Sequence, residues 1–108
     1  MVKQIIIHPL LDYQEPDEVL ECRARVILRF GNVTIKHEHI EIDTKVKTYD
    51  VNFQLPVHCS GVIYVTRYRE EEPYLLNVKS FPTEDKDNLD IRITRSSWSM
   101  DTWLLVAS

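Results

Sequence analysis

Glycine is nearly missing from this chain, with two in 108 residues. Folds built on glycine-rich loops are thereby disfavoured, because only a residue without a Cβ lets the backbone close tightly around a phosphate. No phosphate-cradling loop and no Gly-x-Ser-x-Gly nucleophile elbow occurs, so nucleotide hydrolysis and serine-hydrolase chemistry lose their usual signatures. Cysteine is equally sparse. Cys22 and Cys59 are too few for a secreted disulfide scaffold, and their flanks lack a Cys-x-x-Cys spacing. They read as core thiols, with a bridge between opposite sheets left open.

Positive charge is also in deficit. Thirteen Lys and Arg stand against seventeen Asp and Glu, a net charge of −4. This balance argues against broad affinity for nucleic-acid backbones or anionic lipid, so neither a nucleic-acid nor a membrane partner is expected. Long apolar runs are absent too. Before His8 the chain offers only Ile5, Ile6 and Ile7 as an uninterrupted apolar stretch, far short of a secretory or membrane-spanning segment. A cytoplasmic location is the expectation.

What the chain does have is alternation. Apolar residues make up 44% and charged residues 28%, enough to bury a core, and the length suits a single domain over 1–108. From Val19 to Phe30, Leu20, Cys22, Ala24, Val26, Leu28 and Phe30 share one face, while Glu21, Arg23, Arg25 and Arg29 share the other. That period of two is a half-buried strand. Gly31-Asn32 then predicts a hairpin into 33–43, where the apolar phase changes and places a bulge between Lys36 and His39. Further strands are expected over 3–11, 48–55, 61–69, 74–81, 89–94 and 102–107, separated by turn residues such as Pro56, Glu70 to Pro73 and the acidic 82–88 loop. With no amphipathic helix between them, the expected fold is an all-β, antiparallel β-sandwich of about eight strands, immunoglobulin-like or jelly-roll.

The sharpest chemical motif lies in the second arm of the hairpin. Gly31, five residues, then His37-Glu38-His39 place two imidazoles two residues apart, and on a strand such residues point to the same side. These residues resemble the first motif of the cupins, small jelly-roll proteins in which a His-x-His pair, a following carboxylate and a later histidine hold a metal. The resemblance covers about a dozen residues and implies a divalent transition metal on His37, His39, Asp43 and His58. Asp43 stands where the family has glutamate, and the glycine that closes the family motif is absent.

Other clusters point less far. The acidic loop Glu84 to Asp90 offers hard oxygen ligands of the kind calcium takes, yet such runs are usually solvated turns. Arg23, Arg25 and Arg29, with Arg67 and Arg69, interleave with Tyr64, Tyr68 and Tyr74 in the composition of a single-strand nucleic-acid platform, but Glu21 and Glu70 to Glu72 offset their field. His58 and Cys59 are neighbours in sequence, and neighbours on a strand face opposite ways, so they do not form a thiolate and base. No catalytic residue is assigned. At the C-terminus Trp98, Trp103 and Leu105 form either core or, at a sheet edge, the equipment for strand addition to a protein partner or a second copy. The reading is therefore a non-catalytic protein-binding or structural module that self-associates, without a cofactor. The alternative is a small cupin-like metal-binding barrel.

Overall fold

Among the described residues, patterning of period two becomes eight strands. A computed structural model of the chain describes residues 3–9, 21–43, 45–55, 58–82, 88–95 and 103–108. The strands are β1 (Lys3–Pro9), β2 (Glu21–Phe30), β3 (Val33–Ile42), β4 (Val46–Gln54), β5 (Ser60–Arg69), β6 (Glu72–Phe81), β7 (Asn88–Arg95) and β8 (Trp103–Ala107). They form two four-stranded sheets, ordered β1-β4-β7-β8 and β3-β2-β5-β6, and every pairing is antiparallel. The all-β sandwich expected from the alternation is the architecture observed. Its strand order places β1 beside β4 and β2 beside β5, each pair three strands apart in sequence.

β2 shows how the sequence dictates the packing. Cys22, Ala24, Val26 and Leu28 are buried while Arg23, Arg25 and Ile27 lie on the outer face. Phe30, at the tip of the hairpin, is exposed although it shares their parity. From β5, Ile63 and Val65 complete the inner face of this sheet; Val51, Phe53, Ile91 and Ile93 meet them from the other. Full burial of each such side chain contributes roughly 1.5–3 kcal/mol, so this layer is the main source of stability.

The phase change in β3 is real but displaced. The ladder shifts between Leu28 and Arg29, leaving Ile35 as the extra residue, one position before the expected interval. Beyond it Ile40 and Ile42 turn to the core, whereas Lys36 and Glu38 share that row and pair with each other at 3.2 Å. They can do so because β3 is an edge strand.

Both cysteines are buried and neither is in a disulfide, so no bridge joins them. Burial pushes the Cys59 thiol above its ordinary pKa. Gly61 lies where a Cβ would fall onto the Ile27 carbonyl oxygen and within 2.6 Å of the Phe81 ring, so β5 can approach β2 only without a side chain there. On one flank of the sandwich the sheets are clasped: the Asn77 side-chain amide on β6 donates to the Trp103 carbonyl on β8 at 2.8 Å. No helix among the described residues is long and apolar enough to cross a membrane.

Candidate functional site

His37 and His39 stand on the outer face of β3, opposite Ile27 and Arg25 of β2. Their rings are stacked, with centroids 4.7 Å apart and planes at 27°. This is the one part of the expected metal set that the structure assembles. Asp43 lies past the end of β3, where it builds the turn into β4. Its carboxylate accepts from the Lys45 N–H at 2.8 Å, its carbonyl accepts from the Val46 N–H at 3.1 Å, and its own N–H donates to the Tyr49 hydroxyl at 2.7 Å. Six residues of extended chain separate it from His37, about 20 Å of strand. His58 is exposed and precedes β5, with β2 between it and β3. Among the described residues no three His, Cys, Asp or Glu side chains stand close enough together to hold a metal ion.

The outer face of the second sheet carries an arginine–tyrosine layer. Arg23 lies over the Tyr68 ring at 4.6 Å and Arg25 over Tyr64 at 5.9 Å. Each arginine buries its stem along the aromatic ring while keeping charge at the surface. Arg23 also reaches Glu21 at 3.4 Å and Glu41 at 3.5 Å, so acids share its charge. Arg67 and Arg69 do not join this stripe. Arg67 sits opposite Cys22, on the inward-facing row, and lies over Tyr74 at 4.8 Å.

On the first sheet the centre of the outer face is a polar lattice. Asp50 accepts from Arg92 Nε at 2.7 Å and Nη2 at 3.1 Å, and its other contact is His8 Nε2 at 2.8 Å. The Arg92 hydrogen bond is the largest influence on the Asp50 carboxyl and, with His8, holds it below its ordinary pKa against an opposing burial effect that outweighs the His8 hydrogen bond alone. Asn52 donates to Asp90 at 2.7 Å. These pairs tie β1, β4 and β7 together side by side.

At the C-terminus the strand is an edge, yet the residues expected to meet a partner face inward. Trp103 is buried, with Arg95 over its ring at 5.5 Å, and Leu105 packs against the core. The outward residues are Leu104 and Val106, both more than half exposed. Trp98 and the 83–87 part of the acidic loop lie outside the described residues.

The opposite edge of that sheet was not singled out from sequence. Ile5, Ile6 and Ile7 of β1 are 37%, 57% and 53% exposed. Their signal was present as a break in the polar alternation: three consecutive isoleucines suit a strand with two buried faces, and on an edge strand both faces remain open. By contrast the cavity between the sheets, lined by Leu55, Cys59, Phe81 and Leu89, measures about 30 Å³, room for one water rather than a cofactor.

Set against known proteins, the chain matches no family model, no curated protein and no solved structure.

Proposed function

We propose that this chain is a non-catalytic protein-binding or structural module that works by self-association, an immunoglobulin-like use of a rigid sandwich. One observation carries the reading: apolar side chains are exposed along the unpaired edges of one sheet, Ile5 to Ile7 on β1 and Leu104 and Val106 on β8. Exposed apolar edges are the surfaces on which sheets add strands. The arginine–tyrosine layer of the other sheet supplies a second surface of the composition enriched at protein interfaces. Sedimentation velocity over a hundredfold range of protein concentration tests the reading. A concentration-dependent shift to dimer or higher supports it, and a single monomer boundary at every concentration rejects it.

A second reading rests on the stacked pair His37 and His39. Two neutral imidazoles on one strand face chelate one divalent transition metal when their rings turn toward a common point. Titration with Co²⁺ or Zn²⁺, followed by spectroscopy and by the metal content of desalted protein, checks this. Binding lost in a folded His37→Ala/His39→Ala variant supports a metal centre; equal retention by both proteins assigns the metal elsewhere.

A further inference from the structure

The hydrogen-bond phase of the first sheet determines which backbone groups its edges present. Asp90 and Ser108 exchange both N–H···O bonds, each 2.9 Å. In an antiparallel ladder such pairs alternate, so Asp90, Arg92 and Thr94 turn their backbone groups toward β8 while Leu89, Ile91 and Ile93 turn theirs toward β4. The β4–β7 register carries the alternation across: Tyr49, Val51 and Phe53 point to β7, and Thr48, Asp50 and Asn52 point to β1. On β1, then, Gln4, Ile6 and His8 bond to β4, and the N–H and C=O groups of Lys3, Ile5 and Ile7 are directed at the open edge.

The four sheet edges are not equally open. Asn77 guards two of them: its side chain donates to the Trp103 carbonyl on β8 and accepts from the Val78 N–H on β6 at 2.8 Å. β6 is further interrupted where its ladder to β5 shifts and leaves Leu76 as an extra residue. β3 carries Lys36, Glu38 and two histidines. Charge, bulges and side-chain caps are the devices that prevent edge pairing. Among the described residues, β1 has none between Gln4 and His8.

Resting on the self-association reading, we propose that the partner of β1 is β1 of a second copy, paired antiparallel about a two-fold axis at Ile6. In that register Ile5 faces Ile7 of the second copy and Gln4 faces its His8. Both Ile5 and Ile7 aim their backbone groups outward, so each such pair exchanges two hydrogen bonds, and Ile6 meets its own copy as a non-hydrogen-bonded pair. The isoleucine triad is self-complementary in shape and charge, as a two-fold interface requires. Pro9, lacking an N–H, ends the ladder. The product is one continuous eight-stranded sheet across two copies.

The test is sedimentation equilibrium of the full chain at up to about 100 µM, where small interfaces are expected to associate. Ile6→Lys puts two charges opposite each other at the axis, and Ile5→Pro removes an N–H that the β1–β4 ladder does not use. Each should weaken dimerisation at least tenfold while circular dichroism stays native, and Val33→Lys, at an exposed position of β3 in the other sheet, should leave it unchanged. Ile6→Cys should give a disulfide-linked dimer on mild oxidation, since non-hydrogen-bonded partners lie about 4.5 Å apart at Cα, within disulfide reach. A dimer that survives both β1 substitutions, or that Ile6→Cys fails to crosslink, overturns the β1 assignment and leaves self-association standing. A monomer throughout overturns both. Should the lysine and proline variants unfold, the crosslink alone decides.

Discussion

Two hairpins in the same sheet solve the same problem in opposite ways. β2 and β3 are joined by Gly31-Asn32, and β5 and β6 by Glu70-Glu71, each a two-residue loop between ten-residue strands. In the first, glycine takes the positive φ of 60° that a tight hairpin needs. In the second, both loop residues are glutamates at φ 51° and 67°. Left-handed backbone costs a residue with a Cβ roughly 1–2 kcal/mol, so the second turn opposes the hairpin it closes. Strand pairing must therefore hold that hairpin from its other end. There the Phe81 ring lies over Gly61, where it fills the space a Cβ would take.

Removing that far-end contact gives the largest expected effect. Gly61→Ala drives a Cβ into the Ile27 carbonyl and the Phe81 ring, and a backbone neighbour cannot move aside cheaply. A loss of about 2–4 kcal/mol is expected in urea unfolding. Phe81→Leu in the same chain should recover only part of it, because the Ile27 contact remains. A cost below about 1 kcal/mol for Gly61→Ala would show that β5 and β2 separate easily, against the close approach described here.

Repairing the poor turn should work in the other direction. Glu70→Asn with Glu71→Gly supplies residues suited to positive φ and removes a like-charge run, for an expected gain of about 1–2 kcal/mol and several degrees in Tm. Glu70→Gln with Glu71→Gln separates the two causes, since it relieves charge alone. Equal gains from both pairs would assign the penalty to charge and not to backbone.

The same contrast explains what was legible in the sequence. Eight strands were readable because β-branched and aromatic residues alternate with charge, and Gly31 announced its turn because glycine is so rare here. The Glu70 turn was placed by its polarity, but the strain in it was invisible, as nothing in glutamate signals positive φ. Strand order was not legible either: β1 finds β4 and β2 finds β5 through long-range packing that periodicity does not encode. At the candidate site, spacing placed His37 and His39 together, since two residues on a strand share a face. Spacing said nothing of Asp43 and His58, whose positions depend on a turn and on an intervening strand. Trp103 was recognised as important, while the direction of the edge it sits on required the sheet.

A smaller effect comes from the good turn. A Cβ at Gly31 meets nothing within 4 Å, so Gly31→Ala tests conformation without sterics. About 1 kcal/mol of destabilisation is expected, and Gly31→Asn should cost less because asparagine tolerates the left-handed region. If alanine and asparagine cost the same, local φ preference is not what closes this hairpin.

The smallest effect lies outside both hairpins and calibrates them. Asp50 on β4 is held below its ordinary pKa, chiefly by the Arg92 hydrogen bond and then by His8. A carboxyl depressed in the folded state binds fewer protons than in the unfolded chain, so its stabilisation is complete above the unfolded value of about 3.9 and is lost as pH falls through the lower folded value. Arg92 and His8 are more than half exposed, which limits the contribution to under about 1 kcal/mol near neutral pH. Asp50→Asn should therefore lower stability slightly at pH 7 and flatten its acid limb. Because Asp50 belongs to the other sheet, its effect should add to those of the Gly31 and Glu70 variants; strong non-additivity would mean that the two sheets do not respond as independent sites.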